Sequence, residues 1–546
     1  MPRFDHIIVG GGSAGSVLAS RLSENASVSV LLLEAGRSTL ASHPFDLTVH
    51  MPTALSIPMS LKRYNWAFEA EPEPALDNRV VSCPRGKGLG GSSSINGMVY
   101  VRGNKMDFAE WENMGAKGWG YKDILPFFKK AECWYQGANE YHGGDGPLHV
   151  KFGSNPSNTP LFDAFIAAGV EAGHPYTPDY NGESQMGVGP KAMTVYHSGT
   201  FAGFRCGTAI SYLLPALKRS NLKVVSNTLV SKVIFDKEDP KRAIGVETHN
   251  GEKYEGNEII LSAGAIQSPQ LLQVSGIGDK AHLESIGVPL VHENSAVGQN
   301  LQDHLELYFQ QECKKPVSLA PYINNPLRKL GIGLEWIFTR KGLGATNHFE
   351  ACAFLKSSES VEYPDIQFHF MPVGVSYDGK TVAKSSSGHS FQIHVGTCRS
   401  KSRGVVQAKT ASTLDHPLVR FNYMTAPDDF KNMREGIRLA REICAQPALS
   451  ELAGEEIQPG ANVQSDEDLN AFIRQHAESA YHPCGTVRMG SESQETACVD
   501  EYARVIGVKG LRVCDASIFP QITNGNLNAP VIAVAEKVAD HIQKGE

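Results

Sequence analysis

Two clusters of small residues carry the first chemical information in this chain. Gly10-Gly11-Gly12-Ser13-Ala14-Gly15 is a G-x-G-x-x-G, and an acid, Glu34, follows about twenty residues later. These residue types at this spacing suit a dinucleotide. Gly10 allows a tight turn, Gly12 lets the backbone approach a pyrophosphate, and Gly15 lets a helix pack on a strand. Glu34 can accept hydrogen bonds from ribose hydroxyls, which favours an adenosine without a 2′-phosphate. The second cluster is Gly90-Gly91-Ser92-Ser93-Ser94-Ile95-Asn96, small throughout except for Ile95. Such a run lets the backbone approach a flat ligand and offers it N–H and hydroxyl groups.

The flanking patterns place both clusters on defined elements. Asp5 to Val9 is a short apolar run read as a buried strand, and Ala14 to Leu22 is a helical stretch. Val28 to Leu33 is a second apolar run that ends on Glu34. The glycines therefore sit between strand and helix, and the helix start presents free N–H groups and a positive dipole end to phosphate. The serine–glycine run leads into strand-like Met98-Val99-Tyr100-Val101, which a flexible linker would not do. Leu222 to Val225, Leu229 to Phe235 and Glu258 to Ala263 read as further strands. Beyond Glu306 the pattern changes. Runs such as Ile366 to Phe370 and Val405 to Ala408 alternate and predict an antiparallel sheet. Phe430 to Glu442 and Asp466 to His476 predict amphipathic helices. Near the end, Leu511 to Cys514 reads as a strand and Val531 to Ile542 as a closing helix.

At 546 residues the chain exceeds one core, so two lobes are expected. Apolar content of 41% and charged content of 20% are those of a soluble globular protein. The net charge of −7 argues against nucleic-acid binding. No leader-like start and no apolar run of membrane-spanning length is present. The ten cysteines form no C-x-x-C pair and no zinc spacing, so no metal is expected and reduced thiols in a cytoplasm fit best. Peripheral attachment to an inner membrane stays open.

Gly10 to Glu34, Pro84 to Tyr100 and a third block, Gly264-Ala265-Ile266-Gln267-Ser268-Pro269 through Gly278, together resemble the glucose–methanol–choline (GMC) family of flavin oxidoreductases. The likeness runs from Phe4 to Asp540. It implies an α/β fold in which a Rossmann-like FAD-binding domain is interleaved with an α+β substrate domain built on an antiparallel sheet. The FAD-binding parts would be residues 1–155, 196–305 and 476–546, and the substrate-binding parts 156–195 and 306–475. Contacts to FAD are implied for Gly10, Gly12, Ser13, Ala14, Gly15, Glu34 and Ala35, and for Gly90, Gly91, Ser92, Asn96, Gly97, Met98 and Val99. Val230, Ala263, Asp515, Ala516 and Asn528 join them. Trp66 is a further contact, although packing is the plainer reading of Trp66 and Phe68.

The resemblance also implies the chemistry, oxidation of an alcohol with hydride passing to flavin N5. Ala480 to Gly490 resembles the stretch that carries the family's catalytic histidine, here His482, and Thr523 to Pro530 the one carrying its partner, here Asn526. A histidine suits the removal of the hydroxyl proton near neutrality, and an amide orients the substrate oxygen without competing for that proton. Some members hold the flavin through a histidine in the serine–glycine stretch. Ile95 stands there, so FAD is expected to be noncovalent. Asn300 to Glu306, Asn347 to Ala351, His369 and Asn422 to Met424 resemble bacterial choline dehydrogenases. A quaternary ammonium needs a carboxylate and aromatic faces; Glu306 or Glu350, with Phe349 or Tyr308, would supply them, His369 adding to the substrate site. Against choline, only Tyr322 is aromatic between Ala320 and Asn325. A broad-specificity alcohol dehydrogenase, an oxidase using O2 and a family-like flavoprotein without oxidation chemistry stay open beside a choline-type enzyme. The partners expected are an alcohol and an electron acceptor, a quinone or other respiratory carrier or O2, with a homodimer left open.

Overall fold

The computed structural model describes residues 2–40, 46–376 and 382–546. Two seven-stranded sheets form its framework. The first is built around the strand Arg3–Val9, which pairs in parallel with Val30–Leu33 on one side and Lys253–Leu261 on the other. Leu222–Val225 extends it in parallel beyond Val30–Leu33. On the far side, the first half of Lys253–Leu261 pairs antiparallel with Ala243–Thr248, which pairs with Val230–Phe235. Its second half, Ile259 to Leu261, pairs in parallel with Leu511–Val513. Ile7, Ile8, Leu31, Leu32, Ile259 and Ile260 are fully buried, as expected for parallel strands covered on both faces. The helix Ser13–Leu22 covers one face, and Asn528–Lys544 packs along it.

The second sheet is antiparallel throughout, ordered Ala453–Gln458, Leu305–Cys313, Ser390–Thr397, Ile366–Met371, Ala351–Leu355, Gly187–Pro190, with Glu478–Ser479 at the start of Leu305–Cys313. Its three central strands obey a strict period of two. Leu305, Leu307, Phe309, Ile366, Phe368, Phe370, Phe391, Ile393 and Val395 point into one apolar core. Burying each such side chain contributes about 1.5–3 kcal/mol. The helices Asp429–Cys444 and Asp466–His476 close that core from outside. Gly436 is what lets the first helix approach, since a Cβ there would stand 2.6 Å from Val395. The alternate residues Glu306, Tyr308, His369, Gln392 and His394 necessarily face the other way, into a cavity between the two sheets.

Two local expectations fail for identifiable reasons. Met98 to Val101 is not a strand. The Asn96 side chain accepts the Met98 N–H at 3.0 Å and Met98 takes φ of 58°, so the chain turns, leaving one bridge from Val99 to Met193. Val405–Gln407 does form antiparallel pairs, but only with Leu418–Arg420, in a ribbon apart from the large sheet. The Pro-punctuated sequence from Ser38 to Glu73 reads as loop-rich, and residues 41–45 within it lie outside the described residues. No helix among the described residues is long and apolar enough to cross a membrane.

Candidate active site

One cavity of about 970 Å³ runs from the glycine turn to the antiparallel sheet. At its nucleotide end the three glycines behave differently. A Cβ on Gly10 would meet the Ser262 carbonyl at 2.4 Å, and one on Gly15 would meet the Gly10 carbonyl at 1.9 Å. Packing of the protein itself demands both. A Cβ on Gly12 would meet nothing nearer than 3.9 Å, although Gly12 lines the cavity. The space beside Gly12 therefore suits a ligand at the helix start. Ser13 donates its hydroxyl to Asn528 Oδ1 at 2.8 Å, which brings the start of Asn528–Lys544 next to the start of Ser13–Leu22. Two helix N-termini converging on one cavity favour an anion such as a pyrophosphate. Glu34 lines the cavity, its carboxylate accepting N–H groups from Gly11, Gly36 and Gly88 at 2.7–3.0 Å. Burial raises its pKa and these three bonds oppose the rise.

Of the cofactor residues expected from sequence, all except Gly15 and Gly90 line this cavity. Gly90 supports it from behind: at φ of 86° its N–H reaches the Gly11 carbonyl at 2.7 Å. Asp515 accepts the Gly264 N–H at 2.8 Å and the Ser268 hydroxyl at 2.6 Å, tying the third sequence block to the end of Leu511–Val513. Trp66 lines the cavity and is also packed, against Phe68 and beneath Lys87.

At the other end His482 and Asn526 meet. Asn526 Nδ2 lies 3.0 Å from His482 Nε2, whereas Asn528 is at the glycine turn. His482 Nδ1 lies 3.0 Å from His304 Nδ1, and His304 Nε2 lies 3.0 Å from the Cys398 carbonyl. A carbonyl only accepts, so His304 Nε2 carries a proton. Burial holds the His304 pKa down to about 4, so that ring is neutral and its Nδ1 accepts. His482 Nδ1 must then be the donor. Its Nε2 is left with a lone pair, which receives the Asn526 N–H and faces the cavity. Asp303 fixes this pair: one oxygen accepts the backbone N–H groups of His482 and His304, and the other the hydroxyls of Tyr423 and Ser479. Burial, His304, Arg85 and Lys191 together hold the His482 pKa well below its usual value.

The carboxylate Glu306 is held by a second relay. Gln392 Oε1 accepts N–H groups from Val375 and Gln310, which orients its amide nitrogen onto His394 Nε2 at 2.7 Å. His394 is thereby a neutral ring whose Nδ1–H is donated to Glu306 at 3.0 Å. Glu306 thus presents its carboxyl group beside the rings of Tyr308, His394 and Phe349, with ring centroids 4.0 and 5.2 Å apart along that row. His369 is the register partner of His394 and lines the same wall. Glu350 is elsewhere. Its oxygens accept from the Thr346 hydroxyl and the Asn155 N–H, and it does not line the cavity.

Comparison with known proteins decides the family. A GMC oxidoreductase N-terminal model matches residues 4–306 and a C-terminal model residues 400–535. The chain belongs to the GMC oxidoreductase family. The chain is 51% identical to an oxygen-dependent choline dehydrogenase of Vibrio vulnificus, over 99% of this chain and 94% of that one. It is 49% identical to one of Brucella suis, over 98% and 95%. Among solved structures it resembles a pyridoxine 4-oxidase from Mesorbium loti, with a TM-score of 0.87, 28% identity and 99% of both chains covered. A formate oxidase of Aspergillus oryzae matches with a TM-score of 0.90 and 25% identity over 100% of this chain and 99% of that one.

As a GMC oxidoreductase the protein uses FAD and acts on CH–OH donors. The room beside Gly12, the paired helix starts and Glu34 all fit that group. Ile95 lines the cavity with its aliphatic chain packed near Val49 and Tyr64. Three residues of this arrangement escaped the reading of sequence: His304, His394 and Gln392. His304 lies inside the quoted stretch Asn300 to Glu306, but only the fold shows which ring it touches. His394 and Gln392 had one available signal, polar residues alternating with Phe391, Ile393 and Val395 on a buried strand.

Proposed function

We propose that this protein oxidises choline or a closely similar quaternary amino alcohol to the aldehyde. The observation that carries the reading is the placement of a buried carboxylate, Glu306, among aromatic faces in the same cavity as a neutral, lone-pair-bearing His482 Nε2. A carboxylate with ring faces suits a quaternary ammonium, which offers no hydrogen-bond donor. The names carried by the relatives support the same substrate. FAD, when bound at the glycine turn, supplies the acceptor for the hydride that leaves the alcohol carbon. His482 Nε2 takes the hydroxyl proton, its basic lone pair kept available by the His304 relay. Asn526 donates its amide N–H to the substrate oxygen and holds it against His482. Glu306 with Tyr308 and Phe349 holds the ammonium and fixes which carbon is presented. The alcohol loses one proton and one hydride and leaves as the aldehyde. Anaerobic flavin bleaching across choline, its uncharged isostere 3,3-dimethylbutan-1-ol and benzyl alcohol tests this. Choline should bleach the flavin at the lowest concentration; equal or better bleaching by both uncharged alcohols would overturn it.

The acceptor side has its own feature. The helix Pro326–Thr339 exposes Leu327, Leu330, Leu334, Ile337 and Phe338 along one stripe, two of them about 80% exposed. Its opposite side, Lys329, Ile332 and Gly333, lines the cavity. Arg328 and Lys341 flank the stripe. An apolar stripe with basic flanks suits shallow insertion into an anionic bilayer, where a lipid-soluble quinone would reach the cavity. Flotation with phosphatidylglycerol vesicles should carry the protein up, and Leu327→Glu with Phe338→Glu should abolish it. Absence of flotation in the unaltered protein would rule the surface out.

A further inference from the structure

Away from the cavity, a small three-stranded sheet carries a cluster that alcohol oxidation does not use. Glu132–Trp134 pairs in parallel with Leu148–Phe152, and Cys133 is the direct register partner of His149. Both side chains therefore project from the same face. His197, just beyond the bridge from Val195 to Arg205, closes over them. The Cys133 sulfur and one ring nitrogen from each histidine all lie within 4.8 Å of one another. None of the three residues lines the active-site cavity.

The hydrogen bonding around this cluster engages one His197 nitrogen and leaves a His149 nitrogen unpartnered. His197 Nε2 donates to the Cys133 carbonyl at 3.0 Å, which leaves Nδ1 with its lone pair. A ring nitrogen bonded to a backbone carbonyl while the other is free is the usual outer support of a metal-binding histidine. His149 Nδ1 is buried and has no hydrogen-bond partner. The two rings lie 4.4 Å apart. Among the neighbouring groups, Arg102 and His142 share one oxygen of the Glu132 carboxylate, and Cys206 Sγ receives the His149 backbone N–H. All three residues are partly exposed, so an ion can enter.

We propose that Cys133, His149 and His197 form a binding site for one thiophilic divalent cation of the zinc(II) type, with solvent as fourth ligand. Zn–S and Zn–N bonds of about 2.3 and 2.0 Å place tetrahedral ligands roughly 3.3–3.6 Å apart. Side-chain rotations of about 1 Å bring the three groups to that spacing. The Cys133 thiol gives up its proton to solvent as the Zn–S bond forms. Sequence spacing gave no sign of the site, because the ligands come from three separate segments. The loop that carries His197 also accepts the Trp336 indole N–H at Gly203, so a bound ion would stiffen support for the helix at the cavity mouth.

The test uses the FAD-loaded protein, treated with EDTA, desalted and titrated with Zn²⁺ in equilibrium dialysis and with Co²⁺ by absorption. One Zn²⁺ per chain is expected, with a cobalt spectrum of thiolate-ligated tetrahedral type at wavelengths clear of the flavin. Cys133→Ser and His197→Ala should each weaken binding at least tenfold. Flavin content and anaerobic bleaching by substrate should be unchanged in both. In the unaltered protein, Zn²⁺ should also protect Cys133 from alkylation, read by peptide mapping, which needs no variant. Failure to retain one Zn²⁺, retention undiminished in both variants, or no protection of Cys133 would overturn the site.

Discussion

His304 Nδ1 stands 3.0 Å from His482 Nδ1. Two identical nitrogens at that separation bond only if one carries the hydrogen, and the Cys398 carbonyl behind His304 decides which. His304 is thus a positioning residue: it selects the tautomer of His482 without facing the cavity. His304→Phe removes the acceptor and should slow flavin reduction at least tenfold while FAD stays bound. His304→Gln, whose Oε1 can accept the same N–H, should recover most of the loss. Equal damage from both substitutions, with an unchanged pH profile, would mean a packing role only.

His482→Ala should slow flavin reduction by roughly 10²–10⁴, the usual cost of losing a positioned base. Because the His482 pKa is held well below 6.5, its neutral form already prevails at neutral pH. The parent rate should therefore be level from neutral pH upward and fall only on the acid side. That acid fall should vanish in His482→Ala. Asn526→Ala should cost less and keep it, since an amide does not titrate. Anaerobic stopped flow from pH 5 to 9 reads all three, and parent-like reduction in His482→Ala would place the base elsewhere, His369 being the next ring on that wall.

Glu306→Gln should raise KM for choline far more than for 3,3-dimethylbutan-1-ol. A buried charged contact is worth roughly 2–5 kcal/mol, or well over tenfold. Glu350→Gln should not discriminate between the two alcohols, because Glu350 is bonded to Thr346 and Asn155 outside the cavity. Matching shifts for both alcohols in Glu306→Gln would remove it from the ammonium site.

Gly12→Ala and Gly15→Ala should separate ligand from fold. The first adds a methyl with no protein atom nearer than 3.9 Å, so the chain should fold and yet retain much less FAD. The second drives a methyl to 1.9 Å from the Gly10 carbonyl, so folding itself should suffer. Circular dichroism with flavin quantitation distinguishes them, and full FAD retention in Gly12→Ala would contradict the assigned ligand space.

Acid precipitation should release all the yellow colour into the supernatant, since Ile95 has no atom able to bond the flavin. Colour left in the pellet would show that another side chain forms the link.

Much of this was legible in one dimension because the relevant physics is local. Gly10 to Gly15 with Glu34 is a contiguous strand–turn–helix–strand whose backbone demands appear directly as glycines, and helix Asp466–His476 follows from its periodicity alone. Alternation likewise marks Ile366–Met371 as a half-polar strand. Where alternation meets side-chain competition the reading fails, as at Met98, where the Asn96 amide turns the chain. What only tertiary structure decided are relationships among distant residues. Gln392, His394 and Glu306 form a relay because two strands pair in one register, and His304 reaches His482 because Asp303 holds both backbones. Cys133, His149 and His197 converge because one sheet and one loop bring them together. Residue types and periods reveal which groups a segment offers. Which proton sits on which nitrogen depends on donors and acceptors the fold delivers from elsewhere in the chain.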